Sequence, residues 1–266
     1  MAGEYVSTLA REIQAAYANA QIVSSLPTSR EGGLDMASAY SVESELMNLR
    51  RATGHKTVGV KVGYANKAVW RILKLETLVW AHMYDDTVSF AESNNGTLSL
   101  TGKIAPKIEP EVVFKMKSPL AGSSDPVEIL NAVEWIALGF EIIDCIYPNW
   151  EFQPADFVAA YGLHAALIVG EPQPVNADSI SQWVDQLAKF KLRLLKNNEL
   201  VEEGSGKNSL RSPALCLGEL SRIAPLVAGD LVSSGTLTTP QLIQAGEQWS
   251  AEVEGIGFPR LNLQVQ

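Results

Sequence analysis

The run KIEPEVVFKM, residues 107–116, limits what this chain can fold into more than any other stretch. Val112, Val113 and Phe114 give it the character of a buried strand, yet Glu109 and Glu111 stand inside it. On a strand, residues two apart face the same side, so the two carboxylates project together. Carboxylates that close repel each other, and burial strengthens the repulsion. Three arrangements relieve the conflict: a solvated strand face, a proton shared by the pair, or a shared cation. Pro110 lacks an N–H and marks the point as an edge or a bulge.

A third acid and a lysine belong to the same question. ALGFEIIDCI, residues 137–146, holds Glu141 in another apolar run, sharing a face with Gly139 and Ile143. Three carboxylates from two strands make a hard oxygen site suited to Mg²⁺ or Mn²⁺. Zinc is not indicated, because no Cys/His spacing of that kind occurs. TVGVKVGY, residues 57–64, alternates: Val58, Val60, Val62 and Tyr64 on one face, Thr57, Gly59, Lys61 and Gly63 on a nearly bare one. Lys61 is either a surface lysine on an edge strand or, with a cation nearby, a clamp for a substrate carboxylate or a developing enolate.

The remaining pattern is helical first and β-rich afterwards. Apolar residues over 4–22 recur at helical spacing, and a second helix is predicted over 36–51 with Asp35 as cap and Gly54 beyond its end. Asp125, Pro126 and Glu128 predict a helix starting in SSDPVEILNAVEWIALG, and Ser212 and Pro213 another. Strands are predicted at FEIIDCI, AALIVG, KFKLRLL, LVSSG and QWSAEVEGIG, with a hairpin turning at Asn197 and Asn198. The sum is α+β: a helical segment, residues 1–56, on a β-rich catalytic domain, residues 57–266.

Charge and cysteines exclude several classes. A formal net charge of −9 over 266 residues leaves no basic surface for nucleic acid. No run has the length of a membrane span or an export signal, and two cysteines make no disulfide framework, so the expected home is the cytoplasm.

These residues, in this order, resemble a known family. MASAYSVESELMNLRRATGHKTVGVKVGYAN is similar to a stretch ending in Gly-x-Lys-x-Gly, and PKIEPEVVF to a Glu-x-Glu motif. ALGFEIIDC, GSGKNSLRSPALCLGEL and AGDLVSSGTLTTPQLIQAGE follow in sequence. The set resembles the 2-keto-4-pentenoate hydratase and 4-oxalocrotonate decarboxylase branch of the fumarylacetoacetate hydrolase superfamily. The resemblance implies a mixed, rolled-up β-sandwich, a Mg²⁺ or Mn²⁺ cofactor, homo-oligomers and a small 2-oxo or 2-hydroxy-dienoic acid from aromatic degradation. Position by position, it implies Glu109, Glu111 and Glu141 as metal ligands and Lys61 as the active-site lysine. It puts Asp85 or Asp86 near the substrate as an acid, and Ser234 and Thr236 against substrate oxygen. The implied activity is that of a hydratase working through a metal-stabilised enolate, with decarboxylation as the alternative.

The chain departs from the family pattern around the substrate. Where relatives carry Ala-Asp-Asn, this chain has Ala160 and Tyr161; Ile146 replaces an arginine, and Ala65-Asn66 a threonine-serine pair. Tyr161 is therefore expected against substrate, and His164 as a substitute proton carrier or a structural histidine. No glutamate–histidine dyad of the hydrolytic branch is evident. The rewritten stretch also raises a reading of another class, a non-catalytic partner subunit of a related enzyme.

Overall fold

A computed structural model describes residues 2–266. Helices α1 (Ala2–Ala18) and α2 (Met36–Ala52) come first. The carboxylate of Asp35 caps α2 by accepting from the Ser38 N–H at 2.8 Å. Then follow β1 (Thr57–Gly63), α3 (Trp70–Leu73), β2 (Val79–Tyr84), β3 (Val88–Phe90), β4 (Asn95–Leu98) and β5 (Lys107–Met116). The middle of the chain gives α4 (Pro126–Asn131), β6 (Val133–Ile143), α5 (Pro154–Ala159), β7 (His164–Val169), β8 (Gln173–Pro174) and α6 (Ile180–Lys189). The remainder is β9 (Lys191–Lys196), β10 (Glu199–Ser205), α7 (Pro213–Leu220), β11 (Leu231–Ser233), β12 (Gln241–Leu242), β13 (Gln248–Glu254) and β14 (Leu261–Val265).

The strands form two sheets. One runs β2-β1-β11-β5-β6-β7-β3, with β12 on β5 and β8 on β6; the other runs β10-β9-β13-β14-β4. Parallel β1–β11, β3–β7 and β4–β14 pairs among antiparallel ones make both sheets mixed. Even-numbered residues of β5 and β6, among them Val112, Phe114, Leu138 and Phe140, enter the main core with β9, β13, β14, α6 and α7. Odd-numbered residues face the other way. There Val113 and Ala137 join one apolar cluster and Ile143 joins the cluster of α1, α2 and α5. Glu109, Glu111 and Glu141 fall between these two clusters.

Three expectations need correction. Pro110 sits on neither an edge nor a bulge: β5 is paired along its length with β6, Pro110 opposite Phe140. Its ring faces the other flank, between the stretches paired with β11 and β12, where its carbonyl accepts from the Leu237 N–H at 2.9 Å. A missing donor costs nothing where no strand asks for it. The helix begun at Asp125 ends at Asn131, and VEWIALG is strand β6, because tertiary pairing overrides the local helix signal there. β1 is no edge strand either; it lies between β2 and β11 and its last five residues are buried.

β2 is the sheet's edge, and α2 seals it. The outward N–H groups of Trp80 and His82 donate to the Tyr40 hydroxyl at 3.2 Å and to Glu43 at 3.1 Å. Tyr40 and Glu43 lie one helical turn apart, which matches the two-residue repeat of outward N–H groups on the strand. The Glu43 carboxylate also meets His82 Nδ1 at 2.7 Å. This glutamate–histidine contact was not visible in the sequence, since its members lie 39 residues apart.

Candidate active site

The register of β5 and β6 assembles the acids. Glu109 stands directly opposite Glu141, and Glu111 opposite Gly139. All three carboxylates are buried, and one oxygen from each lies within 4.8 Å of the others. The absent side chain of Gly139 is required: a Cβ there would fall 2.6 Å from Val113 Cγ2.

Lys61 is brought in by β1 and is 2 % exposed, so it is no surface lysine. Its Nζ lies 3.1 Å from Glu141 Oε2 and donates to the carbonyl of Gly162 at 3.0 Å. Gly162 has φ +58, and a Cβ there would lie 2.9 Å from Ala81 Cβ and 3.0 Å from Lys61 Cδ. The Phe157 ring centroid, 4.9 Å from Nζ, completes the lysine's surroundings.

Each carboxylate keeps a different company. Glu111 Oε2 accepts from the Ser233 hydroxyl at 2.5 Å and the Gly235 N–H at 2.8 Å, while its Oε1 is buried without a partner. Glu141 Oε1 meets His164 Nδ1 at 2.9 Å, and its Oε2 makes the Lys61 ion pair without hydrogen-bond geometry. Glu109 takes no hydrogen bond from the described residues. His164 Nε2 reaches the Thr87 hydroxyl at 2.9 Å. An ionised Glu141 only accepts, so Nδ1 carries the imidazole proton and Nε2 is left as an acceptor facing the Thr87 hydroxyl, which also lies 3.0 Å from the Tyr84 carbonyl.

The electrostatics are unbalanced. Burial, with Glu141 and Glu111 adding repulsion, pushes the Glu109 carboxyl up to about 8 against the pull of Lys61. Burial and Glu141 hold Glu111 well above the usual carboxylate range, and burial raises Glu141 despite Lys61. Burial alone would lower the Lys61 ammonium, but Glu141, Glu109 and Glu111 override it and raise it. Burial pushes His164 down to about 3, so it is neutral. Three carboxylates against one ammonium leave two negative charges when all are ionised. Burying an unpaired ion costs several kcal/mol (of order 20 by idealised solvation). Two hard positive charges, three oxygen donors and an orphaned Glu111 Oε1 match one another. The residues present therefore fit a divalent cation.

Other candidate residues lie elsewhere. Asp85 and Asp86 are exposed: Asp85 accepts from the Lys56 N–H at 3.2 Å beside His55, and Asp86 pairs with Arg50. Ser234 donates to the Val112 carbonyl at 2.8 Å and Thr236 to the Thr238 carbonyl at 2.9 Å, so both serve the backbone. Ser233, one residue earlier, is the hydroxyl at the carboxylates; strand alternation in LVSSG could have found it. Tyr161 packs edge-on against Tyr17 and Tyr84 and lines the same cavity as His164.

Residues 76–264 match the fumarylacetoacetate (FAA) hydrolase C-terminal family. The chain belongs to that family. Family members similar to it include 2-hydroxyhexa-2,4-dienoate hydratase of Comamonas testosteroni, 25% identical over 96% of both chains. Another is 4-oxalocrotonate decarboxylase of Pseudomonas sp. strain CF600, 27% identical over 84% of this chain and 83% of the relative. Both relatives are lyases. In fold, the chain is similar to 4-oxalocrotonate decarboxylase from Pseudomonas putida G7, solved with magnesium and adipate. The TM-score is 0.88, with 24% identity over 99% of this chain and 98% of that one. The family's α+β fold with curled sheets is thus the fold of this chain.

Proposed function

We propose that this protein is a divalent-cation-dependent lyase that adds water to a short 2-hydroxy-dienoic or 2-oxo-enoic acid. The observation that carries the reading is the buried set Glu109, Glu111 and Glu141, opposed by the single ammonium of Lys61. Glu109, Glu111 and Glu141 would hold Mg²⁺ or Mn²⁺, which supplies positive charge to the oxygens of a 2-oxo acid. The hydratase and decarboxylase relatives support the same reaction class.

The chain's own residues divide the remaining work. The 2-hydroxyl proton of the dienol leaves and a carbon takes one, giving the conjugated 2-oxo acid. Water's oxygen then adds to the β-carbon of the enone, and a proton goes to the α-carbon. Negative charge grows on the 2-oxygen during both steps, and Lys61, fixed by Glu141 and the Gly162 carbonyl, is the ammonium placed to meet it. Ser233 and the Gly235 N–H hold one oxygen of Glu111 still and leave the other free to bind. His164 holds its proton at Nδ1 against Glu141 and orients that carboxylate. Decarboxylation of a 2-oxo-enedioate is the second reading; the relative of that activity favours it, and the same site serves both.

Calorimetric binding of oxalate, a planar mimic of the enolate, tests the site. Binding that requires both Mg²⁺ and Glu109, lost in Glu109→Gln, is the expected result. Oxalate binding equally well in chelator defeats the proposal. Loss of dienoate absorbance against release of CO₂ then separates the two reactions. Turnover seen only after a related enzyme is added would make the chain a partner subunit. Homo-oligomers and substrates from aromatic degradation belong to the same proposal, the former to be read by sedimentation. No described helix is long and apolar enough to cross a membrane.

A further inference from the structure

A cavity of about 730 Å³ reaches His164, the side chain that contacts Glu141. His164 and Thr87 line it, but Lys61, Glu109, Glu111 and Glu141 do not. Its charges are mostly positive, in a chain whose net charge is −9. Arg11, Arg50 and Lys103 bring cations. Of the two acids in the wall, Asp86 is taken by Arg50, and Asp144 by the N–H groups of Ile104 and Ala105, both at 2.9 Å. Arg11 and Lys103 have no acidic partner among the described residues, and Lys103 is only half-exposed. Three tyrosines share the rest of the wall with small and polar residues such as Gln14, Asn19 and Thr53. Tyr161 lies edge-on between Tyr17 and Tyr84 at 5.7 and 6.1 Å, and the buried Tyr84 hydroxyl has no hydrogen-bond partner.

We propose that this cavity is a second, cation-independent site for a conjugated or aromatic carboxylate. Unpaired Lys103 and Arg11 meet the carboxylate, and the flat body lies against the tyrosine wall. The volume falls in the range of small-molecule pockets and far exceeds what oxalate fills. An occupant touches His164, whose other nitrogen is on Glu141, so it stands one side chain from the carboxylate cluster. The proposal does not rest on the lyase reading, because none of the three glutamates takes part.

Benzoate is the probe, titrated calorimetrically into the full chain in excess chelator. One site is expected, retained in Glu109→Gln and weakened at least about tenfold in the Lys103→Gln/Arg11→Gln double variant. Arg11 is exposed and Lys103 half-exposed, so neither substitution falls in the core; circular dichroism checks the fold, and the two single variants give the same readout separately. A further titration with Mg²⁺ and saturating oxalate present is expected to leave the benzoate stoichiometry unchanged. Absence of benzoate binding, unchanged affinity in a folded double variant, or a requirement for Mg²⁺ would each overturn the proposal. Competition by oxalate would also overturn it, making the cavity the outer part of one substrate pocket. The chelator arm is read without any cation, so its result stands whether or not the glutamates bind one.

Discussion

At the scale of single residues, the carboxylate cluster is held together against its own charge. Removing one charge and removing the ammonium therefore act in opposite directions. Glu111→Gln keeps an oxygen for Ser233 and the Gly235 N–H while relieving repulsion. The cation-free variant is expected to melt a few degrees above wild type, yet to bind Mg²⁺ more than about 100-fold more weakly, measured by calorimetry. Lys61→Met leaves Glu141 buried without its ion pair and is expected to cost the cation-free protein about 3–5 kcal/mol by chemical denaturation. Much of that loss should return on adding Mg²⁺. The three glutamates were legible in the sequence because strand alternation fixes where residues two apart point. The supporting shell was not. Gly162 and Thr87 reach the cluster through contacts between distant segments, which no local spacing encodes; alternation in LVSSG pointed as far as Ser233 but not to its carboxylate partner.

At the scale of elements, two contacts decide whether the sheet forms. A Cβ at Gly59 would fall 1.9 Å from the Leu231 carbonyl oxygen, which is backbone and cannot step aside. Gly59→Ala is expected to break the β1–β11 pairing, costing more than about 3 kcal/mol, seen as insolubility or a large fall in the denaturation midpoint. Glu43→Ala exposes the edge of β2 and leaves His82 without its partner. A loss of roughly 1–3 kcal/mol is expected, with faster hydrogen exchange at the Trp80 and His82 amides. Most strands and the Asn197–Asn198 turn were readable from alternation and turn residues; both asparagines have positive φ, as that hairpin requires. The strand at VEWIALG was masked by the helix start before it. The central place of β5 was masked by Pro110, whose gap in the pairing exists only in the assembled sheet.

At the scale of the whole molecule, the cation-free protein carries its charge imbalance as a pH dependence. Glu109 is pushed up to about 8 in the folded chain against an ordinary 4.5, so the folded state holds more protons than the unfolded one between those values. Its stability therefore falls as pH rises through that window, and Glu111, shifted the same way, adds to the fall. The melting temperature without cation is expected to be lower at pH 8.5 than at pH 6. Mg²⁺ should close the gap and release protons on binding, which shows as a buffer-dependent heat. An outcome with no proton release would mean that the carboxylates are already ionised in the cation-free protein. The placement of Glu109 across from Glu141 has one more consequence. A slip of one residue between β5 and β6 would turn every odd-numbered side chain of the slipped strand to the opposite face and scatter the donors. The cluster is thus a gauge of strand alignment. A refolding chain cannot acquire affinity for a cation by degrees; it gains it when the two strands lock, and cation uptake would time that event.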